Sequence, residues 1–279
     1  MEKRTLMNNV EIPVLGFGTW QVKEGEQAYE SVKYALECGY RHIDTASGYG
    51  NEKSVGRAIQ ESGIDRRELF ITTKLSNLDH GYENTVQAFK TSLSNLGLSY
   101  VDLYLIHWPN PIFFRDDWKQ ANAGTWKAFE SFYTMGQTRS IGVSNFCERH
   151  LNALLDEATI APQVNQIRLF PGEQQSELVK FCKSLGMAIE AYSPLGTGKI
   201  FSSLPLQVIA RSLDKSVAQV CIRYCLQKGN IALVKSVTPL YMQQNLEVFD
   251  FSLDSTTMKI IDSLENICGL TVNPDEAEF

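Results

Sequence analysis

LFITTKLSNLDHGYENTVQAFKTSLSNLGLSYVDLYLIH, residues 69–107, holds a complete strand–helix–strand unit. Residues 69–73 are apolar or β-branched, few, and bounded by polar residues, as a strand buried on both faces should be. Residues 82–96 place Val86, Phe89, Leu93 and Leu96 on one helical face, and 101–106 return to the strand pattern. Working outward, further strand-like runs lie at 14–17, 42–43, 141–143, 164–167, 187–192 and 231–234. Helical spacing marks 51–62, 151–158, 177–185 and 217–226. Eight strands each followed by a helix imply a parallel sheet, and eight such units in ~250 residues are the size of a closed (β/α)8 (TIM) barrel. An open doubly wound sheet would carry G-x-G-x-x-G after its first strand. Gly16-Phe17-Gly18-Thr19-Trp20-Gln21 lacks the third glycine, so the barrel is favoured. Residues 5–12, with Asn8-Asn9 central, predict a small hairpin that plugs the bottom of the barrel. Residues 109–124 predict a loop over its mouth. Extra helices are expected toward the C-terminus, and the tail from Cys268 to Phe279 shows no periodicity. No linker or repeat divides the chain, so residues 1–279 read as one domain.

Composition narrows the function classes. Of 279 residues, 43% are hydrophobic and 21% charged, ordinary globular values, and the formal net charge is −6. A chain of this size can bury its core without disulfides or a metal. The acidic balance speaks against a nucleic-acid binder but leaves room for a local basic pocket around a small anion. No uncharged apolar run reaches the ~18 residues of a membrane span, and Met1-Glu2-Lys3-Arg4 leads into no apolar signal core. Cys38, Cys147, Cys182, Cys221, Cys225 and Cys268 form no Cys-x-x-Cys pair. They read as inert thiols of a reducing compartment. Cys221 and Cys225, one helical turn apart, have no histidine nearby to complete a metal site. The expectation is a cytoplasmic monomer without a metal.

Ligands of such a barrel meet the C-terminal ends of the strands. The second strand ends at Asp44 and runs into a loop bearing Tyr49, the third ends at Lys74, and the fourth at His107. Singly, each has an ordinary explanation: a helix cap, a packed ring, a solvated cation, a satisfied core histidine. On three successive strands they face one mouth, and proton transfer to a carbonyl oxygen suits all four. A phenol with a reference pKa of ~10 is a poor acid at neutral pH. A neighbouring ammonium lowers that value, and a roughly hundredfold gain in acidity is worth about 2.7 kcal/mol. An aspartate fixes the ammonium, and a neutral histidine orients the carbonyl. Acid catalysis of this kind contributes ~10²–10⁴ in rate. No side chain supplies hydride, so a nicotinamide cofactor is required.

The segment Asp44-Thr45-Ala46-Ser47-Gly48-Tyr49-Gly50-Asn51-Glu52, with Ile71-Thr72-Thr73-Lys74 and Leu105-Ile106-His107-Trp108-Pro109, resembles the catalytic segments of the aldo-keto reductase family. The resemblance covers essentially the whole chain. It continues through Ile141-Gly142-Val143-Ser144-Asn145-Phe146, Val164-Asn165-Gln166, Ala191-Tyr192-Ser193-Pro194-Leu195-Gly196 and Val234-Lys235-Ser236-Val237-Thr238-Pro239. Its nearest flavour is the short bacterial type, the 2,5-diketogluconate and glyoxal reductases. The resemblance implies NADPH-dependent reduction of aldehydes and ketones, with NADH use left open. Tyr49 would be the proton donor, Lys74 its pKa-lowering neighbour, Asp44 the partner of Lys74, and His107 the group that orients the carbonyl. Ser144, Asn145 and Gln166 would bond the nicotinamide carboxamide, and Tyr192 would stack on the ring. Ser193, Leu195 and Gly196 would line the pyrophosphate path. Lys235, Ser236 and Thr238, with Val237 between, would meet the 2′-phosphate. Thr19, Trp20 and Asp44 would border the cofactor, while Trp20 and Trp108 would wall the substrate pocket beside Tyr49 and His107.

The sequence departs from the family pattern in three places. Tyr241 stands where an arginine usually grips the adenosine phosphate, so one bidentate contact is missing, and stacking of Tyr241 on adenine is the expected substitute. Next to it, Gln244 replaces a glutamate while Asn245 is kept. Arg168-Leu169-Phe170-Pro171 stands where a glutamate and a histidine commonly precede the proline. The tail is short, which predicts a more open pocket. Two rival functions use the same residues. One is a Schiff-base aldolase with Lys74 as nucleophile. The other is a cofactor-binding regulatory subunit without catalysis. Neither gives the whole residue set a purpose.

Overall fold

The computed structural model describes residues 2–269 and 272–279. Two short strands, β1 (Lys3–Thr5) and β2 (Glu11–Pro13), come first. The βα series follows as β3 (Leu15–Gly18), α1 (Glu26–Cys38), β4 (His42–Asp44), α2 (Glu52–Glu61), β5 (Phe70–Leu75), α3 (Tyr82–Leu96), β6 (Val101–Ile106) and α4 (Trp118–Thr134). It continues with β7 (Thr138–Ser144), α5 (Glu148–Leu155), β8 (Val164–Arg168), α6 (Ser176–Ser184) and β9 (Ala188–Tyr192). The last elements are α7 (Leu204–Ser212), α8 (Val217–Gln227), β10 (Ile231–Val234), α9 (Pro239–Leu246) and α10 (Ser255–Asp262). The strands close into a parallel barrel in the order β10-β3-β4-β5-β6-β7-β8-β9.

Local chemistry sets the boundaries. Gly97 ends α3 in the left-handed region, its N–H returned to the carbonyls of Leu93 and Ser94. Ser216 and Gln219 cap α8 reciprocally. Alternation along each strand then sorts side chains to two sides. On β6, Leu103 and Leu105 point into the barrel while Tyr104 and Ile106 pack outward under the helices. The lower barrel is filled by Phe70, Leu103, Leu105, Val164, Ala188 and Ile231, together with Leu6 and Ile12 of the β1–β2 hairpin. The hairpin pairs Arg4 with Ile12 and Thr5 with Glu11, and Asn9 makes its turn at φ 65°. It stands where a plug was expected.

The structure departs from the sequence reading in four details. The stretch 109–124 is not all loop, because α4 already begins at Trp118, its buried face carried by Ala121, Thr125 and Trp126. Helix α5 lies about one turn earlier than the 151–158 expected. Of the extra helices, α7 is inserted before β10, and α10 alone follows α9. The tail, though without periodicity, is tied down beside the mouth. Asp275 accepts hydrogen bonds from Asn110 Nδ2 (2.9 Å) and His150 Nε2 (2.9 Å) and pairs with Arg149. Arg115 donates to the Ala277 carbonyl, Ile112 N to the Phe279 carbonyl, and the Phe279 ring meets Trp108 edge-on at 4.8 Å.

Candidate active site

Above the apolar filling, the inward positions turn polar. Strand parity points His42 and Asp44 of β4, Thr72 and Lys74 of β5, Gln166 of β8, and Glu190 and Tyr192 of β9 into the barrel. Gly16 on β3 makes the room. A Cβ there would stand 2.7 Å from His42 Nδ1 and 2.6 Å from a Leu233 methyl.

Lys74 is fully buried. Its ammonium donates to Asp44 Oδ1 (2.6 Å), the Thr45 carbonyl (3.0 Å) and the Tyr49 hydroxyl (3.3 Å). Burial alone would lower its pKa, but Asp44 and the phenol outweigh that, and the net shift is upward. The Tyr49 ring, on a one-turn helix over Ser47–Tyr49, lies edge-on to His107 at 5.5 Å. Burial raises the phenol pKa, and the Lys74 charge opposes it without reversing it. The downward pull expected of Lys74 is present, yet the net direction is up. That corrects the expectation of a phenol lowered outright. Burial first, then Lys74 and His80, push the His107 imidazole down to about 3, so its ring is neutral at ordinary pH.

Gln166 extends the array. Its Nε2 donates to Asp44 Oδ2 (2.9 Å) and to Glu190 Oε2 (2.8 Å). Ser144 Oγ donates to the Gln166 carbonyl at 2.9 Å. Asn145, in the left-handed region at φ 62°, turns its amide back to donate to the His107 carbonyl (2.9 Å) and accepts from the Tyr192 hydroxyl (2.8 Å).

These groups line a cavity of about 1070 Å³ at the C-terminal ends of the strands. Trp20, Asp44, Tyr49, His107, Trp108, Ser144, Asn145, Gln166, Tyr192, Ser193, Leu195 and Lys235 are all on its wall, and Lys74 stands behind it. Several expected cofactor contacts are not. Thr19 is buried, and its Oγ1 faces Asn51 (3.5 Å). Gly196 is packed against Cys268, whose Sγ a Cβ would meet at 2.4 Å. Ser236 Oγ accepts from the Thr238 N–H at 3.0 Å. Val237 and Tyr241 are exposed, and Gln244 and Asn245 follow on α9. All of these from Ser236 onward follow Lys235 within ten residues of chain but are off the wall. The sequence reading missed Glu190, buried behind Gln166, and, on the wall, Arg168, Lys199, Ser76, Asn77 and Phe279. Strand parity from Tyr192 would have found Glu190. No local signal carries Phe279, whose contact with Trp108 spans the chain. Among the described residues no acid cluster suited to a metal ion occurs, and no helix is long and apolar enough to cross a membrane.

Comparison with known proteins agrees with the geometry. A glyoxal reductase of Bacillus subtilis (strain 168) is 46% identical over 274 residues, 98% of this chain and 96% of its own. The crystal structure of an aldo-keto reductase enzyme from a Medee basin deep-sea metagenome library superposes with a TM-score of 0.93 at 42% identity, covering 100% of both chains. That of a Bombyx mori aldo-keto reductase in complex with NADP does so with a TM-score of 0.86 at 35% identity, over 95% of this chain and 93% of that one. The Aldo/keto reductase family model matches residues 14–266, the whole barrel. With that span and those identities, the chain belongs to the aldo/keto reductase family of oxidoreductases.

Proposed function

We propose that this enzyme reduces aldehydes and ketones to alcohols with NADPH, and that Tyr49, Lys74, Asp44 and His107 carry the chemistry. The observation that carries the reading is the hydrogen-bonded set Tyr49–Lys74–Asp44 on the wall of a cavity large enough for a dinucleotide and a small carbonyl together. The wall also fits a phosphate-bearing cofactor by charge. Among the described residues it carries Arg168, Lys199 and Lys235 against one acid, Asp44, which Lys74 already holds. Lys235 and Lys199 would hold phosphate, Tyr192 would offer a face for the ring, and Gln166 would meet the carboxamide. When bound, the reduced nicotinamide supplies the hydride that no side chain can.

The residues then divide the remaining work. Tyr49 holds the proton that the carbonyl oxygen needs. Lys74 steadies the phenolate left behind, and Asp44 keeps the ammonium in place. Neutral His107 has one N–H to orient the carbonyl. Trp20, Trp108 and Phe279 give the substrate an apolar wall. The Schiff-base alternative fares poorly, since a nucleophilic amine must be unprotonated and reach the substrate. Lys74 has a raised pKa and no exposure. The six free cysteines support a cytoplasmic setting, and we place the enzyme there as a monomer. On the likeness to a glyoxal reductase, small dicarbonyls head the substrate panel.

Steady-state assays with glyoxal, aromatic aldehydes, ketones and sugars test this reading. Loss of nicotinamide absorbance is expected with the aldehydes, faster with NADPH than with NADH. No turnover across the panel with either cofactor would overturn it.

A further inference from the structure

Glu190 is a carboxyl in the middle of a barrel, with no exposure and no place in the chemistry above. Parity puts it inward between Ala188 below and Tyr192 above, and its register partner on β8 is Gln166. Its Oε2 accepts from Gln166 Nε2 at 2.8 Å. The same nitrogen donates to Asp44 Oδ2 at 2.9 Å, while Asp44 Oδ1 holds Lys74 and Lys74 holds the Tyr49 hydroxyl. A continuous hydrogen-bonded chain therefore runs from the phenol at the cavity to Glu190 in the interior.

An amide nitrogen has two hydrogens. On Gln166 both are taken, one by a carboxyl from β4 and one by a carboxyl from β9. Two acceptors on one end of the amide also assign that end as nitrogen. What Gln166 has left for the cavity is its oxygen, an acceptor. We infer that Glu190 is a positioning residue: by fixing the Gln166 amide, it presents Gln166 Oε1 to a ligand that brings an N–H donor. This rests on the NADPH reading, because the carboxamide of a nicotinamide is such a donor. Without Glu190 the amide keeps one anchor, at Asp44, and pivots about it.

The surroundings of Glu190 agree with an uncharged acid that accepts on one oxygen and carries its proton on the other. His42 and Asp44 face it from β4, Lys74 from β5 and Gln166 from β8, while β10 pairs Ile231 with it. The only cation among them, Lys74, is held by Asp44. Burial, then the Asp44 charge, pushes the Glu190 carboxyl up to about 8. Its second oxygen, Oε1, accepts no hydrogen bond from the described residues and lies 3.5 Å from His42 Nε2. Glutamine copies this protonated form, with an oxygen toward Gln166 and an NH₂ toward His42.

The test compares two ligands by fluorescence titration: NADPH, and 2′-phospho-ADP-ribose, which has the same phosphates and adenine but no nicotinamide. Wild type is expected to bind both. Glu190→Leu should weaken NADPH roughly fivefold to tenfold, the factor of one hydrogen bond, and leave 2′-phospho-ADP-ribose within about twofold. Glu190→Gln should restore NADPH binding to near wild type. Should the leucine variant not fold, Glu190→Asp, which draws the carboxyl back from Gln166, is expected to give the same split between ligands. Equal weakening of both ligands would reduce Glu190 to a structural role and overturn the inference, as would unchanged NADPH binding in the leucine and aspartate variants. If wild type binds neither ligand, the NADPH reading itself fails, a result distinct from the other two.

Discussion

The Tyr49 phenol sits between opposing effects: burial raises its pKa, Lys74 lowers it, and Asp44 raises it again. Catalysis then depends on how far Lys74 holds the phenol back from the value burial alone would impose. Tyr49→Phe keeps the ring against His107 and removes the proton. Its turnover should fall at least the ~10²-fold typical of a general acid while NADPH binding stays near wild type. Lys74→Met should fall comparably at neutral pH, and the alkaline loss of reduction that follows deprotonation of Tyr49 should move to higher pH, because the charge that lowers the phenol is gone. Both variants need a melting curve first, since removing one partner of a buried pair costs ~3–5 kcal/mol. Tyr49→Phe turnover above about a tenth of wild type would remove the phenol from the chemistry. The four residues of this set were legible because each ends a strand or the loop after it, and strand ends of a barrel converge. Glu190 was not, because an acid inside the run Ala188-Ile189-Glu190-Ala191-Tyr192 looks like one polar residue in a strand. Only parity counted back from Tyr192 shows that it must point inward, beside Gln166.

At the scale of elements, the least legible part was the cover of the mouth. Loop and tail carry no periodicity, and their contacts join residues some 160 positions apart, such as Asn110 with Asp275. The single side chain of Asp275 ties the tail to the loop before α4 and to α5 at once. Burial alone would raise its pKa, yet the hydrogen bonds from Arg149, Asn110 and His150 bring it down to about 2. The strap therefore keeps its charge throughout the neutral range, and with it Phe279 stays against Trp108. Asp275→Ala should release this wall. The expected result is a KM for aromatic aldehydes raised severalfold, on the scale of one lost charged hydrogen bond (~1.5–3 kcal/mol) shared among the wall contacts. NADPH affinity should change little. A KM indistinguishable from wild type, with the variant folded, would mean that the tail does not shape the substrate wall. Helix α4 gives the converse lesson. Its first turn was hidden within an aromatic, polar stretch, and it is held by contacts no periodicity shows: Ala121 N donates to the Asp117 carbonyl and buried Asn122 donates to the Pro109 carbonyl at 2.8 Å.

For the whole molecule, the barrel was readable because eight short apolar runs alternate with helical patterns at nearly even intervals, and closure follows from the count. The depth at which polar groups are stored inside it was not readable, and it sets how stability responds to pH. Burial pushes His42 and His80 down from 6.5 to about 4, and His107 to about 3. Between those values and 6.5 the unfolded chain binds more protons than the native one, so stability rises with pH across that window. Glu190 works the other way. Its native value of about 8 lies above the reference 4.5, so between the two the native state holds the extra proton and stability falls as pH rises. Below pH ~6 three histidines outweigh one acid. Above pH ~7 Glu190 leads, and the six cysteines, whose thiols burial holds above their ordinary value, add a loss of the same sign as pH nears ~8. Denaturant melts should therefore place maximum stability just below pH 7, with a steep loss toward pH ~4.5 and a shallow one toward pH ~8. The steep loss amounts to several kcal/mol, since each tenfold change in proton affinity is worth about 1.4 kcal/mol. Glu190→Gln should flatten the alkaline slope up to pH ~7.5, where the thiols hardly titrate, and leave the acid one. A wild-type stability that stays level between pH ~7 and ~7.5, or a slope there that Glu190→Gln leaves unchanged, would show that this carboxyl is not stored protonated in the native barrel.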